Sequence, residues 1–230
     1  MSLTLWIANK NYSSWSLRPW MALVEAGIEF EEKQVAFTHA GGNPDFIRFS
    51  PTAKVPVLQD GELTIWESLA IIEYLAEQHE GIWPQSHQAR AWARCAAAEM
   101  HAGFSALRNR CPMNCALELR FSSLPEDLAR DLERLDQLWC EGLARFGGPF
   151  LAGSKFSAVD AFFAPVVFRC VGYGLPLSAP CQRYIEHMLE LDSMQQWLSA
   201  ALEESPEKGH EADSLANAEL VADKRLNTGD

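Results

Sequence analysis

The chain has 230 residues, of which 48% are hydrophobic and 22% are charged, and its formal net charge is −12. This length holds one large or two small domains with hydrophobic cores, and the composition excludes collagen-like, repeat and fully disordered chains. The acidic charge disfavours nucleic acids and anionic membrane surfaces as partners, because both carry negative charge themselves.

The cysteine and hydropathy patterns narrow the class further. All six cysteines lie from Cys95 onward, too sparse for a disulfide scaffold, and no Cys/His group has zinc-finger spacing. No apolar run approaches the roughly 18 residues that a membrane-spanning helix needs. The N-terminus lacks the basic start and apolar stretch of a secretory signal. We therefore expect a cytoplasmic protein with reduced thiols, no membrane association and no metal.

Residues 1–82 predict a small domain of the order β-α-β-α-β-β-α. Alternating apolar residues indicate a first strand, and a Ser-rich segment precedes a helix that Gly27 ends. The last helix carries Leu69, Ile72 and Leu75 on one face. The predicted ranges are 3–7, 17–26, 28–37, 44–49, 55–58, 63–66 and 68–78.

The remaining chain predicts a linker, an all-helical domain and a tail. Residues 83–88 follow Gly81 and include Pro84, both of which interrupt helices. Residues 89–205 are predicted to be helical over 89–109, 125–146, 157–171, 180–190 and 192–202. Ser157 and Asp160 have the spacing of a capping box, which we interpret as a folding feature. Residues 206–230 are acidic and unpatterned, so we expect a disordered or loosely docked tail.

Two segments resemble the cytosolic glutathione S-transferase superfamily. The first is SSWSLRPWMALVEAGI, which is similar to the loop that carries the family's catalytic Ser or Cys and to the helix after it. The second is KVPVLQDGELTIWESLAIIEYLAEQ, which resembles the family's Val-Pro strand, Glu/Gln-Ser turn and third helix. The resemblance is closest to the serine-type, zeta-like classes. It implies a thioredoxin-like α+β domain followed by a helical-bundle domain, in a homodimer.

The serines before the first helix are the candidate catalytic residues. A free thiol has a pKa of about 8.5, so glutathione needs help to become a thiolate at neutral pH. One charge-assisted hydrogen bond contributes about 1.5–3 kcal/mol and a helix N-terminus about 0.3–2 kcal/mol, against about 1.4 kcal/mol per pKa unit. The resemblance places Ser13 first, Ser14 second and Ser16 third. The alternative is that these serines only cap the helix.

The resemblance also implies the residues that bind glutathione: Lys54, Val55, Pro56, Glu67 and Ser68. The Val55-Pro56 bond matches the family's cis-proline site, where the backbone pairs with glutathione like an added strand. Glu67 and Ser68 match the γ-glutamyl site, and Lys54 would pair with the glycyl carboxylate. A solvated Lys54 is the alternative for that residue.

The second substrate's pocket is expected at the first helices of the helical domain. The candidates that the resemblance places there are Trp15, Met100, Phe104 and Arg108. Met and aromatic residues at helical spacing are more often core than pocket, so burial in the core is the alternative. Arg18 either matches an Arg of zeta-like members or is a cation on the surface of its helix.

The resemblance implies a glutathione transferase, in which the thiolate held by Ser13 attacks a small hydrophobic electrophile, as in detoxification. A glutathione-dependent cis–trans isomerase, like maleylacetoacetate isomerase, is one alternative. The SSWS segment favours the isomerase, and the absence of the zeta-type Gln near Gly41 disfavours it. A non-enzymatic, transferase-like binding module is the second alternative, although it would need none of the site residues. The electrophile and the class within the superfamily stay open.

Overall fold

A computed structural model describes residues 3–227, in which a four-stranded sheet is followed by a helical region. The strands are β1 (Leu3–Ile7), β2 (Phe30–Gln34), β3 (Val57–Asp60), β4 (Leu63–Trp66), β5 (Leu117–Arg120) and β6 (Glu219–Asp223). The helices are α1 (Ser14–Glu25), α2 (Ser68–Gln78), α3 (His87–Ala102), α4 (Ser105–Arg110), α5 (Glu126–Phe146), α6 (Ala158–Tyr173), α7 (Ala179–Leu189), α8 (Asp192–Leu202) and α9 (Lys208–Leu215).

The N-terminal sheet has the thioredoxin-like arrangement that the sequence predicts. Its strand order is β2-β1-β3-β4, with β2 parallel to β1 and the other neighbours antiparallel. The apolar side chains of β1 and β3 join the core beneath α1 and α2. The predicted second helix is a short 3-10 segment, Pro44–Arg48, which begins after Asn43 accepts a hydrogen bond from the Asp45 N–H.

Helix α1 begins three residues before its predicted start. Ser13 is the N-cap, and its carbonyl accepts the first helical hydrogen bond, from the Leu17 N–H at 3.2 Å. The helix ends at Glu25, and Gly27 then adopts a φ of +65°, the left-handed conformation expected after a helix. The early start puts the serine hydroxyls on the first turn of α1 rather than in the loop before it.

The predicted helix over 89–109 is two helices, α3 and α4. Phe104 breaks it, with a φ of +52°. Gly103 permits the sharp break, because a Cβ there would meet the Glu99 carbonyl oxygen at 2.8 Å. The first turn of α4 is then held by Asp131 of α5, which accepts from the Leu107 N–H at 2.9 Å. The break turns α4 toward the start of α1.

Helix α6 is the centre of the helical region and is buried along almost its whole length. The predicted capping box is present, with the Asp160 carboxylate accepting from the Ser157 N–H at 3.0 Å. Asp160 also accepts from the Leu151 N–H and the Tyr184 hydroxyl. Asp160 therefore connects three segments of the helical region, which supports the interpretation of the box as a folding feature.

The C-terminal segment differs from the expected disordered or loosely docked tail. Helix α9 covers 208–215, and β6 pairs antiparallel with β5 in a second sheet that the sequence does not predict. The Tyr12 hydroxyl donates to Glu211 at 2.5 Å, and the Tyr12 ring stacks on His210 at 4.7 Å. These contacts are polar and aromatic, so they leave no hydrophobic periodicity to recognise. Residues 228–230 of the predicted tail lie outside the described residues.

Within residues 3–227, no helix is both long and apolar enough to cross a membrane.

Replacing Glu211 with Ala should loosen the C-terminal segment. The carboxylate accepts from Tyr12, from Asn114 and from Arg225, and each charged hydrogen bond contributes about 1.5–3 kcal/mol. We expect protease cleavage after residue 203 to be roughly tenfold faster, measured by mass spectrometry of timed digests. The matched control is Asp213→Ala, an exposed acid of the same helix. Equal cleavage rates in both variants would contradict this role of Glu211.

Candidate active site

A cleft of about 180 Å³ opens where the start of α1 meets the segment before β3 and the start of α2. Its lining consists of Trp15, Thr52, Lys54, Val55, Pro56 and Glu67. Four of the five predicted glutathione-binding residues therefore lie together, and the fifth, Ser68, directly follows Glu67. Thr52 was missed, because no motif in the sequence marks it.

The Val55-Pro56 bond is cis, as the resemblance implies. It lies directly before β3, with Pro56 buried and Val55 half-buried at the edge of the cleft. Lys54 is exposed beside it, and its N–H donates to the Ser50 hydroxyl at 3.1 Å. This segment thus presents backbone and one cation to the same opening.

The start of α2 combines an unusual backbone with an unpartnered hydroxyl. Glu67 has a φ of +68°, in the left-handed region that a residue with a Cβ rarely adopts, and its side chain is exposed. Ser68 is fully buried, and its Oγ has no hydrogen-bond partner within the described part of the chain. A buried hydroxyl without a partner costs about 1–3 kcal/mol. A helix N-terminus with such a hydroxyl favours an anionic group.

The candidate serines lie on the first turn of α1, next to Trp15. The Oγ atoms of Ser13 and Ser16 are 2.7 Å apart, and the Ala8 N–H donates to Ser16 Oγ at 3.4 Å. Ser13 and Ser14 are nearly buried and Ser16 is fully buried. Neither Ser13 nor Ser14 lines the cleft, but Trp15, which directly follows Ser14 in the chain, does.

The Trp15 ring is surrounded by basic side chains. The Arg18 guanidinium lies over it at 4.0 Å, the Arg108 guanidinium lies 5.7 Å from it, and His101 meets it edge-on at 5.2 Å. Arg18 is only 1% exposed and also lies over the Phe162 ring at 5.0 Å. The interpretation of Arg18 as a surface cation is therefore wrong.

Three of the four residues predicted for the second substrate's pocket are not in the lining of the cleft. Arg108 is half-buried, with its guanidinium 5.7 Å from the Trp15 ring. Met100 and Phe104 are buried in the core cluster and do not line the cleft. Met100 lies on the core-facing side of α3, and the left-handed backbone of Phe104 turns its ring inward at the start of α4.

The sequence analysis did not single out Arg169, although it is the one basic residue of the largely apolar helix α6. Arg169 is buried, and its Nε donates to the Cys111 carbonyl at 2.7 Å. Phe162 was likewise treated as core alone, without its contact to Arg18.

His101 lies in a setting that disfavours its protonated form. Burial is the main cause that lowers the pKa of the imidazole, and the nearby Arg18 lowers it further. Glu67 acts in the opposite direction but less strongly than these two. The Nδ1 atom of His101 has no hydrogen-bond partner among residues 3–227.

The described residues include one group suited to a metal ion, away from this cleft. Ligand atoms of Asp136, Cys140 and Cys181 lie within 4.8 Å of one another. Asp136 also accepts a hydrogen bond from the Ser178 N–H at 2.7 Å, just before α7 begins. Larger clefts, of about 380 to 420 Å³, adjoin the linker around Gly81 and contain none of the candidate site residues.

The chain is similar over most of its length to proteins named as glutathione S-transferases and to one named as a probable maleylacetoacetate isomerase. The family model described as "Glutathione S-transferase, N-terminal domain" matches residues 12–78. Glutathione S-transferase-like protein OpS6 of Beauveria bassiana is 31% identical over 82% of this chain and 86% of that protein. A probable maleylacetoacetate isomerase of Vibrio cholerae is 28% identical over 77% of this chain and 86% of that protein. A Burkholderia glutathione transferase homologue, solved with bound glutathione, has a TM-score of 0.67 at 25% identity and covers 87% of this chain and 98% of its own.

Because of its burial and the nearby Arg18, we expect His101 to have a pKa below 6.5, the value for an unperturbed histidine. Since the fold favours the neutral form, stability should fall as pH drops through 6.5, where the unfolded chain takes up the proton first. The His101 signal is identified in an NMR titration by its loss in His101→Gln. Arg18→Met should raise this pKa, because it removes a repelling cation. A midpoint at or above 6.5 in the unsubstituted protein would contradict this account.

Proposed function

This chain belongs to the glutathione S-transferase family, and we propose that it binds glutathione in the cleft beside Val55 and transfers it to an electrophile. The observation that carries this proposal is the start of α2. There, the buried Ser68 hydroxyl lacks a partner, and Glu67 holds a positive φ directly beside the cis Val55-Pro56 bond. A chain that only needed a helix start would have no use for this combination.

In the proposed binding mode, each polar group of the tripeptide has one partner. The γ-glutamyl carboxylate accepts from the Ser68 hydroxyl and the free N–H groups of α2, and the Glu67 carboxylate binds the ammonium group. The cysteinyl backbone pairs with Val55 like an added strand. Lys54 pairs with the glycyl carboxylate. Thr52, which also lines the cleft, lies beside the glycyl carboxylate in this binding mode.

Ser13 then stabilises the thiolate. The hydrogen-bond chain supports this assignment: if the Ser16 hydroxyl donates to Ser13 Oγ while accepting from the Ala8 N–H, the Ser13 hydrogen is free to donate to sulfur. The N-terminus of α1 adds its partial positive charge. The thiol proton leaves to solvent, the sulfur forms a bond to the electrophilic carbon, and the leaving group departs with its electron pair.

Isomerisation is the second candidate. The similarity to the Vibrio cholerae protein named a probable maleylacetoacetate isomerase supports it, as does the SSWS segment. In that reaction, the thiolate adds to a conjugated double bond, rotation follows, and the thiolate leaves again. Transfer consumes glutathione and isomerisation does not, so a titration of remaining thiol after product formation separates them.

The wider organisation is also a proposal. We divide the chain into a glutathione-binding domain over 1–82, a linker over 83–88 and a helical domain over 89–205; the gap between α2 and α3 supports this division. We also propose a homodimer in the cytoplasm. The sheet ends at β4, where Leu63 and Trp66 are exposed, and a second copy would cover them.

Replacing Ser13 with Ala should raise the pKa of bound glutathione's thiol by about 1 to 2 units, since one charge-assisted hydrogen bond is lost. We expect kcat/KM at pH 6.5 to fall roughly 10- to 100-fold, with a much smaller change in glutathione affinity. The thiolate is measured by its ultraviolet absorbance during a pH titration of the complex. Ser14→Ala is the matched control. If that variant alone shows the loss, the assignment of Ser13 is wrong.

A further inference from the structure

Two cysteines, an aspartate and a serine meet where α5 packs against the start of α7. The Cys140 Sγ lies 3.6 Å from the Cys181 Sγ, 3.8 Å from the Asp136 Oδ2 and 3.4 Å from the Ser178 Oγ. Cys181 is fully buried, and the other three side chains are partly buried. The group is separate from the proposed glutathione site, because none of the four residues lines that cleft.

The positions of these residues on their helices explain why the side chains converge. Asp136 and Cys140 are four residues apart on α5, so they lie one turn apart on the same face. Ser178 is the N-cap of α7 and Cys181 is its third residue, two positions whose side chains approach each other at a helix start. Each helix therefore supplies two polar side chains to one point. The pairs come from separate helices, so they lack the spacing of a zinc finger.

The Ser178 hydroxyl does not act as an ordinary helix cap. An N-cap serine usually accepts from the N–H of the second or third helical residue, but Ser178 forms no such side-chain bond. Its Oγ instead lies beside the Cys140 sulfur, and its N–H donates to the Asp136 Oδ1 at 2.7 Å. This bond orients the carboxylate and leaves Oδ2 beside the Cys140 sulfur. Hydrogen bonds that orient a ligand in this way are typical of metal sites.

The distances agree with those of a tetrahedral zinc site. Zn–S bonds of about 2.3 Å place two sulfurs about 3.8 Å apart, and a Zn–O bond of about 2.1 Å places a carboxylate oxygen about 3.5 Å from each sulfur. The Cys140 Sγ lies 3.6 Å from the second sulfur and 3.8 Å from the carboxylate oxygen. The three ligand atoms of Asp136, Cys140 and Cys181 all lie within 4.8 Å of one another. Two thiolates favour Zn²⁺ over Mg²⁺ and Ca²⁺, which prefer oxygen ligands.

A second cleft, of about 380 Å³, gives a cation access to this group from solvent. Asp136 and Ser178 line it, together with Glu133 as a second acid, and no basic residue is among the described residues of its lining. The rest of the lining is mostly apolar: Leu124, Ala129, Leu132, Gln137, Pro176 and Leu177. The cleft therefore attracts a cation and leads it to the carboxylate.

We propose that Asp136, Cys140 and Cys181 bind a zinc ion, whose fourth ligand is a water molecule from this second cleft. On binding, each thiol releases its proton to solvent and coordinates as a thiolate. The dication relieves the repulsion among two thiolates and a carboxylate, which would otherwise disfavour so close an arrangement. The site joins α5 to α7 and stabilises the helical region. It does not depend on the proposed function.

Cobalt is the probe, because tetrahedral Co²⁺ bound to thiolates absorbs visible and ultraviolet light and Zn²⁺ in the same site does not. The full chain is reduced, freed of metal with a chelator and titrated with CoCl₂ in the absence of glutathione, which binds metals itself. We expect one Co²⁺ per chain, with thiolate-to-cobalt charge-transfer absorption that is lost when Zn²⁺ displaces Co²⁺.

Two variants with matched controls assign the ligands. Cys140→Ser should weaken Co²⁺ binding more than about 100-fold, since even changes behind a metal ligand cost about 10- to 100-fold. Asp136→Asn should also weaken binding but retain the thiolate absorption at saturating Co²⁺. The controls are Cys95→Ser, an exposed thiol of α3, and Glu133→Gln, the other acid of the second cleft. Both controls should bind Co²⁺ as the unsubstituted protein does.

Thermal unfolding provides a second readout that does not depend on colour. Zn²⁺ should raise the Tm of the unsubstituted protein and leave that of Cys140→Ser unchanged, because only the folded site binds the ion. Circular dichroism establishes that each variant is folded.

Two results would overturn the inference. The first is a folded, reduced protein without thiolate-to-cobalt absorption, or one whose absorption Cys95→Ser removes and Cys140→Ser does not. The second is a reduced protein that binds no Co²⁺ but reacts with glutathione disulfide to form a Cys140–Cys181 disulfide and two molecules of glutathione. In that case the two thiols are a redox pair and not metal ligands.

Discussion

The stacking of the Arg18 guanidinium between two aromatic rings joins the sheet domain to the helical region at the candidate site. One ring, Trp15, belongs to α1 and lines the cleft; the other, Phe162, belongs to α6 at the centre of the helical core. A guanidinium stacks on aromatic faces and is weakly hydrated, so it tolerates this burial better than an ammonium group would. The position of Trp15, and with it one wall of the cleft, depends on this contact.

The start of α1 and the start of α2 meet at the same opening and share one electrostatic property. Each helix directs its free N–H groups and its partial positive charge toward the cleft. Ser13 lies at the first and Ser68 at the second, so both hydroxyls lie where negative charge is stabilised. In the proposed function, the start of α2 binds the γ-glutamyl carboxylate of glutathione, and the start of α1 stabilises its thiolate.

The sequence predicts the N-terminal domain well because its signals are local. The Pro of the Val55-Pro56 pair, the turn before β4 and the apolar face of α2 each lie within a few residues of the structure that they specify. The cleft lining was predictable only through the resemblance, since nothing local relates Trp15 to Glu67. Arg169 and the docking of α9 depend on contacts between distant segments, such as Tyr12 with Glu211, and sequence periodicity carries no trace of such contacts.

The account depends first on glutathione binding at the start of α2, which calorimetry measures directly. We expect the unsubstituted protein to bind glutathione with a micromolar to millimolar dissociation constant, and Glu67→Ala/Ser68→Ala to abolish that binding. Glu77→Ala, an exposed acid further along α2, should bind as the unsubstituted protein does. No binding by the folded, unsubstituted protein, or equal binding by the double variant, would contradict the account.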